Sequence, residues 1–170
     1  QLAVLSMSVA PTIALADLTV NGVVSAATSV VNNDTITPAA DFINADTANT
    51  QLTGGVSNTG SITAASNVID ISNASNISGG VTNSGTMAST GNTAFVLNGN
   101  SNISGGVTNS GTITANVATF VVANNSDISG DVTNSGTIES SGGTAFFVFT
   151  NSDISGAITN ESGGIITAAG

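Results

Sequence analysis

Short apolar runs separated by Gly, Asn and Ser recur along most of this 170-residue chain. The stretch "NISGGVTNSGTM" at Asn76–Met87 returns as "NISGGVTNSGTI" at Asn102–Ile113 and as "DISGDVTNSGTI" at Asp127–Ile138. The apolar residue that opens each unit advances in steps of 25, 26, 25 and 26 residues. These opening residues are Leu52, Ile77, Ile103, Ile128 and Ile154. A fixed period in this range is typical of a solenoid or a repeat array.

The interior of one repeat decides between helical and β repeats. Its apolar spots are short, and the Gly and β-branched residues between them are too frequent for a helix. We predict an all-β fold, a parallel β-solenoid (β-helix) with rungs of 25–26 residues spaced about 4.8 Å apart. Stacking then places equivalent apolar residues in columns, including Val56, Val81, Val107, Val132 and Ile158; Ile62, Met87, Ile113, Ile138 and Ile165; and Ile69, Phe95, Phe120 and Phe146.

One column is polar. Its members are Asn58, Asn83, Asn109, Asn134 and Asn160. Amides at the same corner of successive rungs can hydrogen-bond to one another, so we predict a structural asparagine ladder.

The combination of "NSGTI" with "ISGG" resembles the passenger β-helices of bacterial autotransporters and adhesins. The resemblance covers about Leu52–Gly170, and it lacks the C-terminal membrane barrel of that family. It implies a β-helix at the cell surface. Passengers of this kind include adhesins, spacers and enzymes, so the resemblance does not choose among these functions.

The chain divides into three predicted parts. Residues 1–16 form an apolar segment with two interpretations. It is either a signal remnant with a cleavage site at Ala14-Leu15-Ala16 or a donor strand. Residues 17–51 do not align with the repeat, and we expect irregular capping rungs there. Residues 52–170 are the solenoid repeats, and the last repeat lacks the strand that carries Phe in the three units before it.

A surplus apolar strand and an incomplete last rung suggest assembly by strand addition. The N-terminal strand of one subunit would complete the open C-terminal rung of its neighbour. Such a head-to-tail contact need not close and would propagate as a fibre. The residues assigned to this contact are Leu2, Val4, Ile13, Leu15, Ile154, Ile158 and Ile165.

Composition excludes most other functions. The chain has no Lys, Arg, His or Cys and carries a formal charge of −10. It therefore lacks an imidazole base, a thiolate nucleophile, a Schiff-base lysine and zinc sites of the usual Cys/His kind, and we expect no enzyme activity and no cofactor. Its charge also disfavours nucleic acid and anionic membranes. A chain without basic residues offers no site to trypsin-like proteases, which suits an extracellular protein.

Two surface features complete the prediction. Asp127 and Asp153 share a column near Asp131; the carboxylates either extend into water or bind Ca²⁺. An apolar stripe is expected to face outward beside the phenylalanine column, formed by Val96, Val121, Phe147 and Phe149.

The predicted function is that of an extracellular subunit of a self-assembling fibre whose main partner is itself. The alternatives are an adhesin-type passenger that binds a surface or glycan, and an ice-binding solenoid. Stacked threonines support the ice binder, with Thr112-Ile113-Thr114 and Ser61-Ile62-Thr63 as paired hydroxyl positions.

Overall fold

The computed structural model describes residues 29–46 and 49–169, together with two short backbone strands at 6–7 and 18–19. Every regular element in these parts is a strand. In chain order the strands are β1 Ser6–Met7, β2 Leu18–Thr19, β3 Val30–Asn32, β4 Thr35–Ile36, β5 Ile43–Ala45, β6 Gln51–Leu52, β7 Val56–Asn58, β8 Ser61–Ala64, β9 Ile69–Ile71, β10 Asn76–Ile77, β11 Val81–Asn83, β12 Thr86–Ser89, β13 Phe95–Asn98, β14 Asn102–Ile103, β15 Val107–Asn109, β16 Thr112–Ala115, β17 Ala118–Ala123, β18 Asp127–Ile128, β19 Val132–Asn134, β20 Thr137–Ser140, β21 Thr144–Phe149, β22 Asp153–Ile154, β23 Ile158–Asn160 and β24 Ile165–Ala168.

The strands stack into four parallel sheets that run along one solenoid. Sheet A contains β1, β3, β7, β11, β15, β19 and β23; sheet B contains β4, β8, β12, β16, β20 and β24; sheet C contains β2, β5, β9, β13, β17 and β21; sheet D contains β6, β10, β14, β18 and β22. We number the rungs from 1 to 6: β3–β5, β6–β9, β10–β13, β14–β17, β18–β21 and β22–β24. The predicted parallel β-solenoid is confirmed.

The core consists of the predicted apolar columns. Phe95, for example, lies in register with Ile69 on one side and with Phe120 on the other. The rings of Phe95 and Phe120 stack with centroids 4.7 Å apart, and Phe120 stacks on Phe146 at 4.8 Å. Because each core residue contacts its equivalents above and below, a uniform column gives a close-packed interior.

The first rung differs from the sequence prediction. We expected irregular rungs at 17–51, but β3, β4 and β5 pair in register with β7, β8 and β9. The apolar spacing Val30, Ile36 and Ile43 repeats Val56, Ile62 and Ile69 with a shift of 26 residues. Rung 1 lacks the glycines that mark later rungs, having Asp34 where rung 2 has Gly60, and this concealed the repeat.

In rung 6, one predicted position in the apolar columns is wrong. Ile166, and not Ile165, lies in register with Ile138, while Ile165 pairs with Thr137 and is 50% exposed. The corner after Asn160 is longer than the same corner in rung 5, and a hydrogen bond from Gly164 N to Glu161 O closes it. Four residues separate Asn160 from β24, against two between Asn134 and β20, so the inward position falls on Ile166 and not on Ile165.

Candidate functional site

The asparagine ladder is continuous from Asn32 to Asn160. Each Nδ2 donates to the Oδ1 of the next asparagine along the chain at 2.7–2.8 Å. All five asparagines assigned to it from the sequence lie in this column, and Asn32 is a sixth member that the sequence analysis missed. Ladder amides also donate to backbone carbonyls, as Asn109 Nδ2 does to Thr137 O at 3.0 Å. The ladder therefore satisfies buried polar atoms at the corner between sheets A and B.

A second polar column, which the sequence analysis also missed, lies at the corner before sheet D. The backbone N–H of Ser75 donates to Ser101 Oγ, and those of Ser101 and Ser126 donate in turn to the hydroxyl of the next rung, at 3.1–3.3 Å. The column begins at the N–H of Thr50 and extends to Ser152 Oγ. Its signal in the sequence is the first serine of the repeated "SNIS" and "SDIS", at the same 25–26-residue step.

The predicted assembly residues fall into two groups. Leu2, Val4, Ile13 and Leu15 lie outside the described residues. Ile154 is half-buried and Ile158 is 48% exposed, although both continue columns that are buried in the rungs before them. The end face of rung 6 therefore presents apolar column residues to solvent in this structure.

Two strands from the N-terminal segment lie at the opposite end of the solenoid. Ser6 and Met7 of β1 pair with Val31 and Asn32 in sheet A. Leu18 and Thr19 of β2 pair with Ile43 and Asn44 in sheet C. These strands continue the sheets on rung 1 of their own chain.

The apolar stripe lies on sheet C with a gradient of exposure. Val96, Val121 and Phe147 stack in register; the two valines are half-buried, and Phe147 is 50% exposed. Phe149 is 40% exposed, and its ring lies 4.7 Å from that of Phe147. The outward apolar surface is therefore concentrated in rung 5.

The three carboxylates considered for Ca²⁺ are exposed or half-buried. Asp127 and Asp153 lie in register, and Asp127 Oδ1 accepts from the backbone N–H of Asp153 at 3.1 Å. Asp131 Oδ1 accepts from Ala157 N at 2.8 Å. Within residues 29–46 and 49–169, no three acidic side chains come together in an arrangement that could hold a metal ion.

One acidic residue has an unusual environment that the sequence did not indicate. Burial raises the pKa of the Asp70 carboxyl, and the nearby charges of Asp41 and Asp46 act in the same direction. Hydrogen bonds from Ser72 Oγ at 2.8 Å and Asn67 Nδ2 at 3.1 Å oppose these effects. Asp70 faces outward on sheet C, between Asn44 of rung 1 and Val96 of rung 3.

The outward positions of sheets A and B form an extensive surface of hydroxyl side chains, which we call the hydroxyl face. Its two columns in register are Ser57, Thr82, Thr108, Thr133 and Thr159, and Thr35, Ser61, Thr86, Thr112 and Thr137. The rows repeat at about 4.8 Å along the solenoid. Ala88 and Glu139 interrupt the neighbouring column that contains Thr63 and Thr114.

Comparison of the chain with protein families, with curated proteins and with solved structures found no match. The described part of the chain contains no helix with the length and hydrophobicity needed to span a membrane.

Proposed function

We propose that this protein is an extracellular structural protein, a non-enzymatic subunit that stacks head to tail into a surface fibre. The observation that carries the proposal is the unshifted register of rungs 2–5, in which every sheet pairs equivalent residues of successive rungs. The strand edges, side-chain columns and corner backbones at the end of such a rung match those with which the next rung pairs. A second copy of the chain can therefore continue the stack without a new type of contact.

The proposed contact joins rung 6 of one copy to residues 1–28 of the next. Sheet A ends in β23 of rung 6 and sheet C ends in β21 of rung 5, and at the opposite end the two sheets begin with β1 and β2. Copies arranged head to tail would bring edges of the same two sheets together in parallel orientation. Leu2, Val4, Ile13 and Leu15 would then supply apolar side chains to cover Ile154, Ile158 and Ile166, with Ile165 at the rim. This is strand addition between identical subunits.

An extracellular location and a structural role are supported by composition. The chain has no Lys or Arg, so trypsin-like proteases find no cleavage site in it. It also has none of the His, Cys or Lys side chains on which many catalytic sites depend. The resemblance to passenger β-helices favours the cell surface as the place where the fibre forms.

Electron microscopy of the full chain tests the proposal. We expect fibres at high protein concentration, with an axial repeat near the length of one subunit. Ile158→Asp should abolish them, because it places a charge on a column that the neighbour must cover. Thr159→Asp is the matched control, since it adds the same charge at an outward position one residue away.

A chain beginning at Asp17 separates strand addition from simple end-to-end stacking. If this shorter chain forms fibres as well as the full chain, residues 1–16 do not complete the neighbour's rung. If the full chain remains monomeric at every concentration, the fibre is ruled out altogether.

The hydroxyl face favours a second candidate function, a binding module for a surface. Its uncharged, regularly spaced hydroxyls suit either ice, as an ice-binding solenoid, or a glycan, as an adhesin-type passenger. Rung 1 extends the face, because Thr35 and Thr37 repeat the paired spacing of Ser61 and Thr63. Thermal hysteresis would identify the ice binder, and retention on immobilised glycans the adhesin. Thr112→Glu should abolish either activity if the face is the binding surface.

A further inference from the structure

Asn44 has a buried acceptor that no group among the described residues satisfies. Its Oδ1 atom is inaccessible to solvent and accepts no hydrogen bond, one of two such side-chain atoms among the described residues. Leaving a buried polar atom without a hydrogen bond lowers the stability of the folded state. A group that could donate to it is therefore expected close by.

Asp70 is the rung 2 residue stacked on Asn44, whose other neighbour in sheet C is Thr19 of β2. The two lie in register in adjacent strands β5 and β9 of sheet C, and both occupy outward positions between buried neighbours. Equivalent residues of paired strands are about 4.8 Å apart, so their side chains reach each other on the same face. Ser72 Oγ donates to Asp70 Oδ1, and Asn67 Nδ2 donates to Oδ2. Each carboxyl oxygen keeps a further lone pair, so either can carry a proton as well.

The surroundings of Asp70 disfavour its negative charge. The titratable groups acting on it are Asp41, in the connection before β5, and Asp46, directly after β5, and both repel a carboxylate. On the other side β13 presents Val96, which has no charge. The chain contains no Lys, Arg or His that could compensate. Partial burial weakens the stabilisation of the charge by water, and the hydrogen bonds from Ser72 and Asn67 offset only part of this cost, since the pKa of Asp70 is raised.

We propose that Asp70 retains a proton in the folded protein and donates its O–H to Asn44 Oδ1, forming a pH-sensitive hydrogen bond between rungs 1 and 2. This single proton satisfies the unpaired acceptor and removes the repulsion of Asp70 by Asp41 and Asp46. The inference concerns the solenoid itself and is independent of fibre assembly.

The direction of the pH dependence follows from the raised pKa of Asp70. The folded state holds the proton more tightly than the unfolded state, whose pKa is about 3.9. The stabilisation is complete below the unfolded pKa and is lost as the pH rises through the folded pKa. Rung 1 is therefore held more firmly to rung 2 in mildly acidic solution than at neutral pH.

The test uses the full chain and two substitutions. At neutral pH, Asp70→Asn should raise the folding equilibrium constant about three- to tenfold, because an amide can donate to Asn44 without carrying charge. It should also remove the Asp70 contribution to stability in mild acid. In an Asn44→Leu background the acceptor is absent. The increase in the folding equilibrium constant caused by Asp70→Asn should then be much smaller. Glu161→Gln is the control, since it removes an exposed charge in the corner after β23, far from rungs 1 and 2.

Carboxyl ¹³C NMR of the unaltered protein gives an independent readout. We expect the Asp70 signal to titrate above the range of an ordinary aspartate. A titration within or below that range would overturn the proposal, since the folded state would then not hold the proton more tightly than the unfolded state. A titration below it would mean that the Asn44 amide is rotated and that Nδ2 donates to a charged carboxylate. An undiminished gain from Asp70→Asn in the Asn44→Leu background would also overturn it.

Discussion

Two buried polar residues show how much a single side chain depends on its column. Asn109 Nδ2 donates to Asn134 at 2.7 Å, and Asn109 Oδ1 accepts from Asn83 at 2.8 Å. Thr119 is equally buried, but its column neighbours Ala94 and Ala145 offer no polar group, and its hydroxyl has no partner. A buried polar residue thus stabilises the stack only where the adjacent rungs carry a matching one.

The first prediction at this scale concerns Thr119. Thr119→Val should raise the free energy of unfolding by about 1–2 kcal/mol, because it replaces an unsatisfied hydroxyl by a methyl group of similar shape. Thr119→Ser keeps the hydroxyl and loses a methyl, so it should destabilise the protein. Urea denaturation of the three proteins measures both changes. Lower stability of the valine variant would show that the hydroxyl has a partner in solution.

The second prediction concerns the left-handed corner before sheet D. The first residue of this corner has positive φ and is Asn73, Gly99 or Asn124 in three rungs, but Thr150 in rung 5, with φ of 55°. This conformation costs an L-residue about 1–2 kcal/mol, and Asn tolerates it better than a β-branched residue does. Thr150→Asn should therefore raise the melting temperature, whereas Thr150→Val should lower it.

At the scale of the elements, the corners hold the strands in register. Rungs 2–5 have a glycine directly before β8, β12, β16 and β20, where the backbones of successive rungs approach closely. A Cβ atom at Gly111 would overlap the carbonyl oxygen of Gly85 in the rung before it. The glycine is required here by the close approach of two backbones. The repeated "NSG" thus combines the ladder amide with the glycine that lets the rungs meet.

Gly111→Ala should consequently destabilise the solenoid by several kcal/mol, since the backbone must move to admit the methyl group and the adjacent ladder bonds would be stretched. Gly143→Ala is the matched control. A Cβ there would lie 3.4 Å from Val117 O, in ordinary contact. Circular dichroism with urea denaturation measures both variants. Equal stability of the two would show that the corner adapts.

At the scale of the whole molecule, the solenoid is a one-dimensional stack with charges of one sign. Each rung contacts mainly its two neighbours, so stability is close to a sum of rung and interface contributions. The formal charge of −10 has no internal cation to balance it. Stacked carboxylates such as Asp127 and Asp153 repel each other by about 1 kcal/mol in a well-hydrated setting.

Salt should therefore stabilise the folded chain. Between about 0.01 M and 1 M salt the Debye length falls from about 30 Å to 3 Å, which screens this repulsion. We expect the thermal midpoint to rise with NaCl, and to rise less in Asp127→Asn. CaCl₂ at the same ionic strength tests for a metal site, because a stabilisation beyond that of NaCl that Asp153→Asn removes would assign Ca²⁺ to this column. A midpoint independent of NaCl would mean that the charges are already too far apart to interact.

The sequence by itself determined the fold class, the period and the columns, because in a parallel stack the repeat length alone decides which residues lie above one another. The five sequence-assigned asparagines of the ladder follow from that rule. Only the tertiary structure decided the arrangement at the positions where the repeat pattern changes. The longer corner after Asn160 moves Ile166 into the column assigned to Ile165, and rung 1 keeps the register without the marker glycines. The environment of Asp70 was also beyond the sequence. Burial, the pairing with Asn44 and the pKa of the carboxyl depend on neighbours that are 26 residues apart along the chain and adjacent only in the stack.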